Sequence, residues 1–332
     1  MTTTLPPKTD QAGPAGPHSR LRRFFPAGEQ PFVLYSAFVL LIVGFSVASP
    51  VFFSAGNFAN IARQTALVTI VAVGMALVII TAQIDLSVAS NLALSGVVAA
   101  IVMRDVAGVW WLGTLAGLLC GLLVGVVNGV LVAVLRIPSF LVTLGMMGAA
   151  RGVALLLSDT SPVLVTNVDF WNIYNDGALA SVSTPILWTL LVVLAGGVVL
   201  HLSTFGRKLI ATGGNARAAR YSGINTKRVT LIAFAFTGAL AGLAGLILAA
   251  RGHAARPDVA QGLELDVIAA VILGGTSLFG GRGTIFGVVL GSLIIGILNN
   301  GLVLAGVAPS IQLIVKGAII VAAVAFNREK AE

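Results

Sequence analysis

Ten runs of predominantly apolar residues divide the sequence, and they restrict the chain to one class of fold. The hydrocarbon core of a bilayer is about 30 Å thick, so a helix that crosses it needs about 20 apolar residues. Only 10% of all residues are charged, whereas soluble domains carry about 25%. The sequence therefore predicts an all-α, polytopic membrane protein with about ten transmembrane helices. The runs lie at 32–53, 61–82, 86–103, 109–135, 139–157, 185–204, 229–250, 265–279, 284–307 and 309–326.

Polar segments bound the apolar region at both ends. Residues 1–31 hold six prolines and scattered charges, which predicts a disordered cytoplasmic tail rather than a cleaved signal peptide. Residues 32–326 form the predicted transmembrane domain. Residues 327–332 form a short, predicted cytoplasmic C-terminal tail.

The distribution of Lys and Arg predicts the orientation of the chain. The segment 207–228 contains six Lys or Arg residues and no acid, whereas 158–184 contains three Asp residues and no Lys or Arg. Basic loops face the cytoplasm, so both termini are predicted to lie inside. The short run 265–279 is either a short crossing or a segment that turns back. Omitting it as a crossing would place the basic C-terminus outside, so the charge pattern favours a crossing.

Motifs for catalysis and for nucleotide binding are absent from the sequence. No G-x-x-x-x-G-K-[ST] pattern occurs, and the glycine cluster at 274–283 lacks the lysine that would neutralise phosphates. HExxH, CxxC and GxSxG patterns are also missing, and the lone Cys120 lies in an apolar run. We therefore expect no catalytic residue, no metal site and no cofactor bound by this chain. The net charge of +8 is assigned to membrane orientation rather than to nucleic-acid binding.

Glycines recur at every fourth position in the fourth apolar run, from Gly113 to Gly129. On a helix this spacing produces one smooth stripe that lets a second helix approach closely in lipid. Close helix packing is the expected use of the stripe. An interface that moves during function is the open alternative.

The basic loop at 206–228 contains a short helix of its own. Asn215 is a suitable N-cap, Ala216–Ser222 can form about two turns, and Gly223 fits the position after the helix. Arg217 and Arg220 would share one face of this helix. Two interpretations follow from the pattern: another protein docks on the helix, or its Arg residues contact anionic lipid.

Five stretches of the chain resemble, in the correct order, the permease subunits of bacterial ribose-type ABC importers, within the group whose relatives handle branched-chain amino acids. The resemblance extends from about residue 55 to 326. The family often has Gly-Gly or Gly-Glu before the first stretch, and this chain has Ala82–Gln83, so position 83 is given no special role. The stretches are IDLSVAS (84–90), NGVLVAVLRIPSFLVTLGMM (128–147), GRKLIATGGNARAARYSGI (206–224), ELDVIAAVILGGTSLFGGRGT (264–284), and NNGLVLAGV (299–307) with IQLIVKGAIIVAAV (311–324).

This resemblance implies a permease subunit in the bacterial inner membrane that carries a monosaccharide, with ribose favoured. It implies a second permease chain (identical or different), separate ATP-binding subunits, a periplasmic sugar-binding protein and surrounding membrane lipid. ATP and magnesium would be bound by the partner ATPase, and this chain is not expected to be an enzyme. The loop 206–228 matches the ATPase-coupling loop of the family. The implied coupling residues are Gly213, Gly214, Asn215, Arg217, Ala218, Ala219, Arg220, Ser222 and Gly223.

Six polar residues are candidates for the translocation path or its gate. Asp85 precedes the third apolar helix, where it is either the helix N-cap, assisted by Ser87, or a gate contact. Lys316 is the deepest charge, and we expect an interior polar anchor there because a buried cation needs a partner. The amides either contact the solute or bond neighbouring helices. The six candidates are Asp85, Asn128, Asn299, Asn300, Gln312 and Lys316.

Polar residues at the outer end are candidate contacts for the binding protein. Glu264 and Asp266 are expected at an outer helix start, where they favour the helix dipole and could also meet the binding protein. A second outer group comprises Arg251, His253, Arg256 and Asp258.

An ion-coupled secondary transporter of a small polar solute is the alternative function. Such a protein needs an ionisable site near the middle of the membrane. The acids of this chain stand at the ends of the apolar runs and only Lys316 is deep, so the pattern gives the alternative little support.

Overall fold

The computed structural model describes residues 30–106 and 109–326. Nearly all of the two predicted tails, residues 1–29 and 327–332, lies outside these ranges. The boundaries predicted for those tails therefore stay predictions.

Helices dominate the described chain, which confirms the predicted all-α class. Single turns of π-helix, at Asn172–Asp176 and Val198–Leu202, follow the α-helices Val168–Trp171 and Thr184–Gly197. The described strands are two residues long and form two antiparallel pairs, Val163–Leu164 with Ala254–Ala255 and Ala178–Leu179 with Val182–Ser183. The helices are α1 (Gln30–Ala48), α2 (Ala55–Ile80), α3 (Val88–Asp105), α4 (Trp110–Ala133), α5 (Ser139–Leu157), α6 (Val168–Trp171), α7 (Thr184–Gly197), α8 (Thr204–Gly214), α9 (Ala216–Tyr221), α10 (Thr226–Arg251), α11 (Leu263–Leu273), α12 (Ile285–Leu304) and α13 (Pro309–Phe326); the strands are β1 (Val163–Leu164), β2 (Ala178–Leu179), β3 (Val182–Ser183) and β4 (Ala254–Ala255).

Each of the ten predicted apolar runs contains a helix, and seven of these helices are long and apolar enough to cross a membrane within the described ranges. The predicted number of ten crossing helices is therefore not confirmed, although the multi-pass character is. The seven are Ala55–Ile80, Val88–Asp105, Trp110–Ala133, Ser139–Leu157, Thr184–Leu202, Thr226–Arg251 and Ile285–Leu304.

The short run predicted at 265–279 forms the 11-residue helix α11, which ends at Leu273. At a rise of 1.5 Å per residue it is about 16 Å long, roughly half a bilayer core. Glycines with positive φ stand on both sides of it, at Gly262 (83°) and Gly275 (82°). These positions break the helix, since only glycine adopts such a φ readily.

The segment around α11 nevertheless connects opposite ends of the helix bundle. Before α11, the chain lies at the end where α10 finishes, and the Arg151 guanidinium donates to Val259 O (2.9 Å). After α11, Gly281 N donates to Ile80 O (2.9 Å) at the other end, where α2 finishes. The segment 259–281 therefore runs from one end of the bundle to the other with a short helix inside it, and we call it the broken crossing; that it crosses the membrane stays a prediction. Broken backbone of this kind is tolerated at membrane depth only where protein surrounds it.

These contacts define two ends of the molecule. We call the end with the C-terminus of α2, the helices α8 and α9 and the N-terminus of α10 the inner end. The opposite end, with residues 158–183 and the C-terminus of α10, is the outer end. Since the inner end carries the basic loop, the positive-inside rule predicts that it faces the cytoplasm.

The glycine stripe of α4 brings α4 into backbone contact with α10. A Cβ atom added at Gly121 would lie 2.5 Å from Gly238 O, and one added at Gly242 would lie 3.1 Å from Gly117 O. Such distances leave no room for side chains between the two helices. The expected packing role of the stripe is confirmed.

We expect Gly121→Leu to prevent this contact, because the new side chain would overlap the backbone of α10. Overpacking usually costs about 1–3 kcal/mol, and more where backbone rather than side chains must move. The fraction of monodisperse protein after detergent extraction should fall sharply. Gly44→Leu is the control, since Gly44 is exposed and its added Cβ meets nothing within 4 Å. Equal yields of the two variants would contradict the packing.

Candidate functional site: the inner loop and the polar interior

The predicted short helix in the inner loop is present as α9. The Asn215 side chain caps it, since Asn215 Oδ1 accepts hydrogen bonds from Arg217 N (3.1 Å) and Ala218 N (3.0 Å). Gly223 follows the helix with a φ of 82°, and Ile224 N donates to Ala219 O (3.0 Å). Both the predicted N-cap and the predicted C-terminal glycine are confirmed.

One face of α9 is anchored and the rest is open to solvent. Ala219 is 3% exposed, whereas Arg217, Ala218, Arg220 and Ser222 are exposed. Tyr221 is 93% exposed, and the sequence reasoning did not select it. An exposed tyrosine beside two exposed arginines combines apolar contact area with positive charge, and both are enriched at protein interfaces.

The base of the inner loop is joined to two other elements through backbone atoms. A Cβ atom added at Gly213 would lie 2.6 Å from Gly281 N, and one added at Gly281 would lie 2.8 Å from Gly214 Cα. Gly281 N in turn bonds Ile80 O (2.9 Å). The end of α8, the end of α2 and the broken crossing therefore meet at one point, and movement of one displaces the others.

Asp85 organises the turn before α3 but is not its N-cap, so that prediction is wrong in detail. The helix begins at Val88, and Asp85 Oδ1 accepts from Ser87 N (2.9 Å) and from Ser87 Oγ (2.6 Å). Asn128 Nδ2 donates to the same Ser87 hydroxyl (2.8 Å). Burial raises the pKa of the Asp85 carboxyl above its ordinary value, although the hydrogen bonds from Ser87 and Asn128 oppose that change. Asp85 and Asn128 thus belong to one buried group.

Asn91 is a buried interior residue that the sequence reasoning missed. Its Nδ2 lies 3.1 Å from Gly121 O and 3.4 Å from Gly238 O, and its Oδ1 accepts from Ser95 Oγ (3.3 Å). The side chain thereby bonds both backbones where α4 and α10 touch. The available signal was an amide in an apolar run beside a glycine-rich neighbour.

Lys316 and Asn299 meet at Asp266. Lys316 Nζ lies 2.9 Å from Asp266 Oδ2, and Asn299 Nδ2 donates to the same oxygen (3.2 Å). The expected interior anchor is present, but its partner is an acid. Asp266 lies in the first turn of α11, which confirms its predicted place at an outer helix start. It is only 7% exposed and joins α11, α12 and α13, so it does not face outward to a partner. The paired charges satisfy each other inside the bundle.

The remaining two amides also bond within the chain. Asn300 and Asn57 exchange two hydrogen bonds of 3.0 Å each, which join α12 to α2. Gln312 Nε2 donates to Val307 O (2.8 Å) and closes the turn before α13. The six candidate path residues therefore occupy four separate places, and their role in a path stays a prediction.

The predicted outer group is divided among several contacts. The His253 ring stacks on Trp171 with 4.0 Å between centroids, and His253 Nε2 lies 2.9 Å from Asp176 Oδ2. Arg256 pairs with Asp258 (3.2 Å), and its hydrogen bond lowers the pKa of the Asp258 carboxyl. An outer cleft of about 260 Å³ is lined by Asn60, Arg63, Leu67, Asn175, Pro185, Ile247 and Arg251.

Within the described ranges, no group of three or more His, Cys, Asp or Glu residues could hold a metal ion.

The fold and the inner loop define a multi-pass α-helical membrane protein with an exposed, capped helix at its basic inner end. Residues 57–324 match the family described as the permease component of branched-chain amino acid transport systems, and the chain belongs to that family. Permease components of this kind are not themselves enzymes. No solved structure matches the chain.

Curated relatives extend over most of the chain. It is 45% identical to the ribose import permease protein of Escherichia coli (strain K12), covering 89% of this chain and 92% of that protein. The ribose import permease protein of Bacillus subtilis (strain 168) is 43% identical, covering 88% and 91%. The D-allose transport system permease protein of Escherichia coli (strain K12) is 38% identical, covering 88% and 89%.

We expect Lys316→Met to destabilise the bundle, because Asp266 would stay buried without its cation. Breaking a buried pair on one side costs of the order of 3 kcal/mol. The free energy of unfolding in detergent micelles, followed by tryptophan fluorescence, should fall accordingly. The double variant Asp266→Asn/Lys316→Met should recover much of the loss, since the amide carries no charge. Wild-type stability of Lys316→Met alone would show that the pair contributes nothing.

Proposed function

We propose that this chain is the membrane-spanning permease subunit of an ATP-driven importer of ribose or a related monosaccharide. The similarity to ribose import permeases over nine-tenths of the chain is the observation that carries this proposal. Relatives named for D-allose and L-arabinose, at 38% and 36% identity, support the monosaccharide class rather than one sugar.

An importer of this kind requires an ATPase and a substrate-binding partner. The ATPase, with its ATP and magnesium, docks on the inner loop 206–228 in our proposal. Three observations support this position. The helix α9 is capped at Asn215, it presents Arg217 and Tyr221 to solvent, and its anchor Ala219 fixes it to the bundle.

The contact at the base of the loop suggests how such docking would move the permease. A rigid displacement of α9 would act on Gly213 and Gly214, and through them on Ile80 and Gly281. The helix α2 and the broken crossing would then shift with the loop. Since backbone packs directly on backbone there, little of the displacement would be absorbed by side-chain rearrangement.

The predicted orientation of the chain suggests where the remaining partners would bind. A periplasmic sugar-binding protein would approach the outer end, where the outer cleft presents Arg63 and Arg251. A second permease chain, identical or different, would complete the path.

We expect Arg217→Glu/Arg220→Glu to abolish co-purification of the cognate ATPase and ATP-dependent sugar uptake. Reversed charges on the exposed face of α9 would repel the acidic surface that arginines select, and like-charge contacts at an interface cost several kcal/mol. Arg104→Glu/Arg256→Glu reverses two exposed charges at the outer end and is the control for assembly. Unchanged assembly and uptake in the first variant would refute docking on α9.

We expect ribose uptake by proteoliposomes that contain the permease, its ATPase and its binding protein to require internal ATP and to stop with vanadate. A protonophore should leave the rate unchanged, because no ion gradient drives transport. Uptake that collapses with the protonophore and persists with vanadate would instead favour an ion-coupled transporter. Parallel assays with D-allose and L-arabinose would determine the sugar.

A further inference from the structure

A second cleft lies at the inner end, between α9 and the helix bundle. It has a volume of about 310 Å³, and we call it the inner cleft. Five elements contribute to it: the ends of α2, α4 and α8, the helix α9, and the start of α10. Its lining residues are Thr81, Gln83, Val132, Ala133, Arg136, Ile137, Pro138, Thr212, Ala216, Arg220, Thr226, Lys227 and Thr230.

Positive charge in the inner cleft has no counterpart in the described chain. Arg136, Arg220 and Lys227 line the cleft, and no acid does. None of the three forms an ion pair with a described residue. Within the described ranges, Asp85 is the one acidic residue at the inner end, but it is 2% exposed and hydrogen-bonded to Ser87. Three cations held around one concave surface attract an anion from outside the chain.

Hydrogen-bond donors at the inner cleft also suit an anion. Thr212 is 5% exposed, and its hydroxyl is buried without a hydrogen-bond partner. The 26-residue helix α10 begins at Thr226 on the cleft wall, so the positive end of its dipole lies there. Asn225 Oδ1 already accepts from Arg228 N there (3.0 Å), so the dipole is the feature of this helix start that favours phosphate.

Apolar residues beside Arg136, at the end of α4 and in the connection to α5, also line the inner cleft. They are Val132, Ala133 and Ile137. Ile137 is 39% exposed, and the neighbouring Val134 and Leu135 are 46% and 60% exposed. A free anion would leave this surface unused. A molecule with a phosphate group and an apolar tail would cover both parts.

We propose that the inner cleft binds the headgroup of an anionic phospholipid. The phosphate lies among Arg136, Arg220 and Lys227, and an acyl chain runs along Leu135 and Ile137. Basic pockets between helices at the cytoplasmic membrane edge are suited to such headgroups. The bound lipid would fill the space behind α9 while Arg217 and Tyr221, which do not line the cleft, stay free. The site does not depend on which sugar the protein carries.

The test measures binding of labelled phosphatidylglycerol to the full-length chain in detergent and in phosphatidylcholine nanodiscs. The variant Arg136→Asn/Lys227→Gln removes two charges, and asparagine tolerates the positive φ of 60° at position 136. We expect binding about 30-fold weaker, since each charge contributes a factor of about five. Thr212→Val should weaken binding without changing charge. Arg207→Gln/Lys208→Gln, at exposed positions of α8 outside the cleft, should bind as the wild type does.

Three results would overturn the proposal. The first is equal binding by the wild type, Arg136→Asn/Lys227→Gln and Thr212→Val. The second is no preference of the wild type for phosphatidylglycerol over phosphatidylcholine. The third is that the delipidated wild-type chain binds inorganic phosphate but no lipid, and that the double variant loses the phosphate binding. The cleft would then bind a soluble anion.

Discussion

The contact between α4 and α10 is the constraint on which the rest of the structure depends. Lipid provides no hydrophobic force between helices, so the two backbones associate through close packing and hydrogen bonds. Glycines on both helices permit the approach, with Gly121 facing Gly238. Asn91 then bonds both backbones from α3. A side chain larger than glycine at this contact would separate α3, α4 and α10 from one another.

A second junction of backbone on backbone links the surface loop to the interior. Ile80, Gly213 and Gly281 belong to three elements that are distant in sequence, yet they share one contact point. The exposed part of α9 stands directly beside it. A protein that must pass motion from a docking surface to its membrane helices benefits from such a junction, because packed backbone is hard to compress.

Buried polar groups in this chain act mainly as joints between helices. The Asp266–Lys316 pair and Asn299 join α11, α12 and α13, and Asn57 with Asn300 joins α12 to α2. These two pairs find their partners inside the chain, which lowers the cost of placing them in the membrane interior. Positive charges without an ion-pair partner in the described ranges lie instead at the surface, above all in the inner cleft and on α9.

The sequence by itself determined the helical class and the capped helix α9, since hydropathy and capping are local properties; the orientation that the charge bias indicates stays a prediction. It also located the glycine stripe, although not its partner α10. Only the tertiary structure decided that Lys316 pairs with Asp266, 50 residues away, and Asn300 with Asn57, 243 residues away. It likewise decided that the short apolar run is an 11-residue helix within a broken crossing. Partners across the bundle depend on how helices meet, and neither periodicity nor composition contains that information.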